Sequence, residues 1–308
     1  MITPGQPLDL DLLEDIVAAE MPWIVEPERI QVLGFGFRSV AVETAAGEVV
    51  LIGKVAETAE TYARIYRLAL ELGRHLPVSI PRPRWFLPAS ERLPGGALCY
   101  PKLPGRPLEM ADIEGPARGR IVADLAKLLR AFHRFPVEPA RAFDVPAVGR
   151  EFWVRTVETV LPPLRRALNR EEYAAVANWW RGLRDDRDIW AAPQAFRHGD
   201  FWHENILIDP NTLELRGILD LEYVALSDRA CDLATLRHLD TDFAGEVGAE
   251  YAAIGGDLEP DFARRVERYW ELREFDGLRF AVEYDDPAEF EDGLQALRAG
   301  PILNPLQD

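Results

Sequence analysis

The chain has 308 residues, 48% of them hydrophobic, and a formal charge of −17 at pH 7. That charge argues against nonspecific binding to nucleic acid or to an anionic membrane, because phosphates are repelled rather than neutralised, while cationic partners are attracted. Length and hydrophobic content fit one large bilobal domain or two smaller ones, and two cysteines, Cys99 and Cys231, are too few for a disulfide framework or a thiolate metal site.

The opening MITPGQPLDLDLLEDI is acidic and lacks the basic, apolar and cleavage regions of a signal peptide. No apolar run approaches the roughly 18 residues of a membrane span, so a cytoplasmic protein is expected. A short amphipathic helix is predicted over 8–20. Segments 30–34, 39–45 and 48–55 alternate or run apolar and read as strands, with Ala46-Gly47 as a hairpin turn, giving a small antiparallel sheet. A helix follows over 57–74, ended by Gly73, and the prolines of SIPRPRW forbid its continuation. ALCYPKL at 97–103 reads as another strand, broken by Pro104-Gly105. From there helices dominate. Leu125, Leu128, Leu129 and Phe132 recur at i, i+3, i+4 and i+7 and mark a buried stripe, with His133 beside it in a structural role. Further helices are expected over 151–167, 170–184, 229–238, 259–274 and 288–298. The Pro-Gly-Arg-Pro at 104–107 is the best hinge candidate between a strand-rich first third and a helical remainder. From Asp240 to Asp308 there are 18 acidic residues against 6 arginines and no lysine, which reads either as a solvated helical surface or as a cradle for a polycation.

Only five histidines occur in the chain, and two of them fall in RHGDFWHENILIDP at 197–210, beside Asp200, Glu204 and Asn205. NILID (205–209) and LELRGILD (213–220) are apolar strands separated by Pro210-Asn211-Thr212, where a turn folds them antiparallel. Asn205 then opens the first strand and Asp220 closes the second, so both arrive at the open end of one hairpin. Two oxygen-bearing side chains there suit a hard divalent cation, and Mg²⁺ takes one or two such ligands plus phosphate oxygens and water. Asp200 lies on the loop leading into that end.

His198-Gly199-Asp200-x-x-x-x-Asn205 followed by Ile218-Leu219-Asp220 resembles the catalytic signature of the aminoglycoside phosphotransferase family, distant relatives of the eukaryotic-type protein kinases. The resemblance implies an α+β, bilobal, protein-kinase-like fold: a small antiparallel-sheet N-lobe that binds nucleotide (1–100), a hinge (101–107) and a larger, mainly helical C-lobe (108–308) with an acidic helical tail (240–308). It implies that Asp200 accepts the proton of a substrate hydroxyl or orients it, that His198 orients the loop, and that Asn205 and Asp220 hold Mg²⁺ on the phosphates of ATP or GTP. Asp228 to Ala234 is similar to the family's trailing Gly-Asp-Pro-x-x-Asp segment, with Ser227 in the glycine position, which makes Asp232 a carboxylate supporting the loop. Gly34-Phe35-Gly36-Phe37-Arg38-Ser39, between two strands, lets backbone amides approach a triphosphate because glycine removes the obstructing side chain; Ser39 stands where the third glycine of the protein-kinase loop belongs. Lys54, one of only three lysines, ends the strand after this loop, where a phosphate-pairing lysine belongs. The position expected to hold its glutamate carries Arg64 and Ile65, so Glu60, one turn earlier, is named as the substitute. Cys99 to Gly105 resembles the family's hinge, whose backbone holds the purine: Pro101 offers its C=O and Leu103 its N–H.

The reading that follows is a Mg²⁺-dependent small-molecule kinase acting on a hydroxyl of a cationic acceptor, an aminoglycoside or macrolide antibiotic, or else an amino-alcohol or amino-acid metabolite. Two other classes compete. A regulatory pseudokinase would bind nucleotide without transfer, which the missing helix glutamate favours and the presence of Lys54, Asp200, Asn205 and Asp220 opposes. A metallohydrolase would use His198, Asp200 and His203 as ligands, leaving the glycine loop and Lys54 unexplained.

Overall fold

The structure, a computed structural model, describes residues 10–21, 23, 30–36 and 38–304. Residues 8 and 9 of the first expected helix, and Phe37 of the glycine loop, lie outside the described residues. Helix α1 (Leu10–Glu20) is followed by β1 (Gln31–Phe35), β2 (Ser39–Glu43) and β3 (Glu48–Gly53), then α2 (Glu57–His75), β4 (Trp85–Leu87) and β5 (Ala97–Pro101). These strands form one antiparallel sheet in the order β1-β2-β3-β5-β4. Period-two alternation explains its two faces: Val40, Val42, Val50 and Ile52 are wholly buried and join Leu13, Ile16 and Val17 of α1, which recur at helical spacing. On α2, Tyr62, Ile65, Leu68 and Leu72 form a stripe continuous with the main core.

One expectation in this part shifts. Gly73 lies inside α2 rather than ending it, because Arg82 packs its guanidinium against the bare Cα and donates from Nη2 to Gly73 O at 3.0 Å. The stretch after it supplies β4, which pairs with β5 from Trp85↔Cys99 to Leu87↔Ala97. The Cys99 thiol is enclosed there, and burial, with Glu48 beside it, pushes it up to about 12.

The larger lobe follows as β6 (Arg106–Pro107), α3 (Met110–Ile113), α4 (Arg118–His133), α5 (Val137–Ala142), α6 (Arg150–Ala167), α7 (Arg170–Asp185) and α8 (Arg187–Trp190). Next come β7 (Ala195–Arg197), β8 (Ile206–Ile208), β9 (Leu215–Ile218) and β10 (Ala225–Ser227), then α9 (Ala230–Leu236), α10 (Thr241–Ala253), α11 (Phe262–Glu283) and α12 (Pro287–Ala299). Strand β6 pairs with β8 (Arg106↔Ile208), so half of the Pro-Gly-Arg-Pro stretch belongs to this lobe's small sheet and Lys102–Gly105 is left as the connection. Leu125, Leu128, Leu129 and Phe132 of α4 are wholly buried, as their spacing requires. Leu128→Ala is expected to lower unfolding stability by roughly 2–5 kcal/mol, the range for emptying a closed core site, measurable by denaturant titration.

Helix α10 falls within the expected helical tail (240–308), for which no bounds between 238 and 259 are predicted. A Cβ at its Gly248 would stand 2.8 Å from Leu233 Cδ2, so the glycine permits α10 to pack closely on α9. Helix α11 runs nine residues past its expected end at 274 and packs on α6, α9 and α12. Among the described residues no helix is long and apolar enough to cross a membrane.

Candidate active site

Strand β7 delivers the chain to His198-Gly199-Asp200, and three anchors fix this loop. Gly199 has φ +91°, and a Cβ on it would lie 2.1 Å from Tyr223 O, so only glycine fits. Asp232, at the start of α9 and fully enclosed, accepts from the backbone N–H of His198 (2.9 Å) and of Gly199 (2.8 Å), and from His133 Nε2 (3.1 Å). Burial opposes ionisation of Asp232, but the His133 hydrogen bond and the charges of His133 and Arg197 outweigh it and hold the carboxyl below its usual range. His198 is the third anchor. Its Nε2 donates to Leu219 O at 2.8 Å and its Nδ1 accepts from the Asp200 N–H at 3.3 Å, which defines a neutral ring with no nitrogen left for substrate. Burial pushes its pKa down in the same sense. Both nitrogens being taken by backbone also removes His198 from the metal-ligand role that the hydrolase alternative gave it. His203 Nδ1 donates to Leu108 O at 3.0 Å, and no group of three His, Cys, Asp or Glu side chains among the described residues is placed to hold a metal.

Asn205 ends a 3₁₀ turn (His203–Asn205) immediately before β8, rather than opening the strand itself. Ile206 pairs with Ile218, and Leu219 N donates to Asn205 O at 2.7 Å, so the hairpin brings Asn205 and the segment of Asp220 to the same end. Asp220 lies two residues beyond β9 in a left-handed conformation, φ +54°, with Oδ1 accepting from Glu222 N at 3.0 Å. The Asn205 amide is oriented by its contacts: Nδ2 donates to Asp200 O (3.1 Å), which as a carbonyl can only accept, and to Asp200 Oδ2 (2.9 Å). Its Oδ1 therefore faces away from Asp200. One amide oxygen and one carboxylate at the same hairpin end is a donor set that fits Mg²⁺ completed by phosphate oxygens and water.

Asp200 itself is pushed up to about 7, first by burial and then by the Asp220 charge, against the Asn205 hydrogen bond that favours its ionised form. A carboxylate in that range exchanges its proton near neutral pH, as a general base requires.

The glycine loop faces this group from the other lobe. Gly36 N donates to Ser39 O at 3.0 Å, closing the turn, while a Cβ at Gly34 would meet nothing within 4 Å and one at Gly36 only Ser39 O at 3.7 Å. Packing inside the protein thus does not demand glycine at either position, and Gly36 leaves space open over the cleft. Ser39 Oγ donates to Glu222 Oε1 at 3.2 Å, tying the loop to the Asp220 segment. Lys54 sits one residue past the end of β3, 5% exposed, its Nζ donating to Gly36 O and lying 3.9 Å from the centroid of the Phe35 ring. Burial lowers its pKa, with Asp286 acting in the opposite sense.

The expected partner of Lys54 needs correction. Among the described residues Lys54 makes no ion pair with Glu60; Glu60 is exposed on α2, its charge acting on Arg64 one turn on, and it lines the cleft. Asp286, just before α12, is the acidic group that acts on Lys54. A glutamate one turn earlier shares the face of the helix but stands about 5.4 Å further along its axis.

Between the lobes runs a cleft of about 1100 Å³, lined by Gly36, Ser39, Glu60, Asp200, Asn205 and Asp220 among the expected residues. Gly34, Lys54, Pro101, Leu103 and His198 are not part of its lining. Pro101 ends β5 opposite Glu48, and the Lys102 N–H, which donates to Gly47 O at 3.0 Å, is the last rung of that ladder, so the Leu103 N–H lies past it.

Sequence reasoning missed several cleft residues. Glu222, two positions after Asp220, is buried, and burial followed by the Asp220 charge raises its pKa well above the glutamate range. Trp202, His238 and Trp270 form an aromatic wall, with ring centroids 4.2 Å apart for Trp202–His238 and 4.7 Å for His238–Trp270. Glu222 could have been found by its place beside Asp220; the wall joins residues up to 68 positions apart, and no local pattern marks it. Of the acidic residues after position 240 among the described residues, only Glu274, Asp276 and Glu289 reach the cleft. Glu274 is held by Arg273 (2.7 Å) and Asp276 by Arg279 (2.8 Å), while Glu289 is pushed up to about 6, by burial and then by neighbouring carboxylates.

A five-stranded antiparallel sheet closing over a mainly helical lobe, with a glycine loop above and a His-Gly-Asp loop below one cleft, defines a bilobal protein of protein-kinase-like fold. Residues 30–270 match the model of the phosphotransferase enzyme family, APH, and the chain belongs to that family. An aminoglycoside 3'-phosphotransferase of Streptomyces fradiae is 28% identical over 167 residues, which make up 49% of this chain and 56% of that relative, so the likeness spans just over half the relative's length. Among solved structures, the GDP and kanamycin complex of APH(2")-IIia superposes with a TM-score of 0.82 at 21% identity, covering 95% of this chain and 99% of that one. The macrolide 2'-phosphotransferase MphH of Brachybacterium faecium gives a TM-score of 0.67 at 19% identity, covering 97% and 99%.

Proposed function

We propose that the protein is a Mg²⁺-dependent kinase that transfers the γ-phosphate of ATP or GTP to a hydroxyl of a small cationic acceptor. The observation that carries this reading is the contact of Asn205 Nδ2 with Asp200 Oδ2 in the wall of the interlobe cleft, which turns the amide oxygen away from Asp200. Asp200 accepts the proton of the attacking hydroxyl as the new P–O bond forms and the bond from γ-phosphorus to the bridging oxygen breaks. His198 and Asp232 hold the Asp200 loop, and the amides of the Gly34–Ser39 loop with Lys54 receive the phosphates. Bound Mg²⁺, held by Asn205 and Asp220, supplies charge neutralisation on the nucleotide. The hinge backbone at Pro101 and Leu103 receives the purine. Such transfer asks the protein mainly for alignment and electrostatics, which a few well-fixed polar groups provide.

The aminoglycoside and macrolide phosphotransferases to which the chain is similar support an antibiotic as acceptor. One observation favours a smaller amino alcohol or amino acid: two of the three carboxylates that the acidic tail brings to the cleft are already paired with arginines. Nucleotide consumption measured across aminoglycosides, macrolides and amino alcohols tests the proposal, with ADP or GDP release expected only where an acceptor hydroxyl is supplied. Nucleotide binding with no acceptor-dependent release over such a panel would establish a pseudokinase instead. Because Asp200 must be ionised to accept a proton, and burial raises its pKa, kcat/KM is expected to fall on acidification as the carboxylate is protonated; a kcat/KM that rises on acidification would remove Asp200 as the base.

A further inference from the structure

Arg197 closes β7 directly before His198 and is 6% exposed, yet among the described residues its guanidinium makes no salt bridge or hydrogen bond, and its Nε is enclosed without a partner. Burying a guanidinium without a partner costs several kcal/mol, so the fold must gain something from it. The other arginines buried to a similar degree are paired: Arg265 with Asp228 and Glu259, Arg229 with Asp257 and Glu259. The charges that act on Arg197 come from Cys231, Asp232, Tyr269 and Asp276, on α9 and α11, not from the glycine loop. The carboxylates of that group are already held, Asp232 by the His198 loop and His133, Asp276 by Arg279. Its Nη1 lies against Gly199, 2.2 Å from where a Cβ would stand, so the fork sits under the residue next to Asp200, and the side chain lines the cleft together with Asp200, Tyr269 and Asp276.

We infer that Arg197 is an acceptor-binding residue whose guanidinium donates to two neighbouring oxygens of the acceptor beside the hydroxyl that Asp200 faces. The planar fork matches a carboxylate or a pair of adjacent hydroxyls, which share this chemistry. The inference rests on the kinase reading and makes Arg197 the specificity-determining group on the acceptor side.

Steady-state kinetics of Arg197→Lys and Arg197→Met, with paired acceptors bearing either a carboxylate or adjacent hydroxyls, test it. Loss of a bidentate donor should raise the acceptor KM about tenfold or more, with nucleotide KM within about twofold. The larger penalty within a pair identifies which oxygen source the arginine binds. Arg197→Lys keeps the charge and the stem and supplies the test if the methionine variant fails to fold. An unchanged acceptor KM in a folded variant, or a rise confined to nucleotide KM, would overturn the inference. Calorimetric binding of the same acceptors, which needs no turnover, separates the two readings. Binding without turnover by the wild type, weakened in Arg197→Lys, retains the arginine and removes the kinase. Turnover unaffected by either variant removes the arginine alone, and neither binding nor turnover of any acceptor removes both.

Discussion

Replacing Asp200 by alanine is expected to lower acceptor-dependent kcat by about three orders of magnitude, the scale of a lost general base at an aligned site, while nucleotide affinity stays within about threefold because Asp200 is not a phosphate ligand in this account. The separation of the two effects is the informative part. Asp200 is held by its backbone N–H to His198 Nδ1 and by Asn205, so removing the carboxylate leaves the backbone anchors of the loop in place. The conservative Asp200→Asn adds a second readout. The folded pKa of Asp200, about 7, is raised above the roughly 3.9 of an unfolded aspartate. The folded state therefore holds this proton more tightly, and stability falls as pH rises from about 4 to 7. Asp200→Asn should thus raise Tm at pH 8, give no gain at pH 4, and be inactive at both. A lower Tm at pH 8 would mean that the ionised carboxylate stabilises the fold and is no strained catalytic group.

Asp232→Ala is expected to lower stability by about 3–5 kcal/mol and to abolish turnover as well, because it strips partners from two backbone N–H groups and a histidine inside the protein. All three donors lie in the core beside the loop, and Asp232 has no measurable exposure through which water could replace the lost oxygens. Its depressed folded pKa gives the opposite pH dependence to that of Asp200. The stabilisation is fully present above about pH 4 and is lost as pH falls through the lower folded value. Denaturant titration of wild type and variant at pH 7 and pH 3 checks both points: the gap should be large at the first and smaller at the second. An equal gap at both would show that Asp232 contributes through packing rather than charge.

Much of the site was legible because its parts are local in sequence. Asp200, Asn205 and Asp220 fall within 21 residues, joined by a hairpin whose apolar strands and turn residues identify themselves. The antiparallel sheet was legible for the same reason, its hairpins being short and its faces alternating. What escaped depends on contacts between distant elements. The aromatic wall joins α11 to the catalytic loop. Asp286 acts on Lys54 across 232 positions, while the glutamate sought within one helix turn faces Arg64. The bounds of helix α10 were not marked in the sequence, and the value of its Gly248 lies in close packing on α9 that no propensity reveals. The acidic tail misled in another way: composition counts every carboxylate, but among the described residues only three of them line the cleft.

A crystal structure with Mg²⁺ and a non-hydrolysable ATP or GTP analogue tests the central claim most directly. The account predicts a metal at about 2.0–2.1 Å from one oxygen each of Asn205 and Asp220, bridging to the phosphates, with the Asp200 carboxylate outside the coordination shell and facing the γ-phosphate. A metal held elsewhere, or nucleotide bound with Asn205 and Asp220 both free of it, would contradict the account.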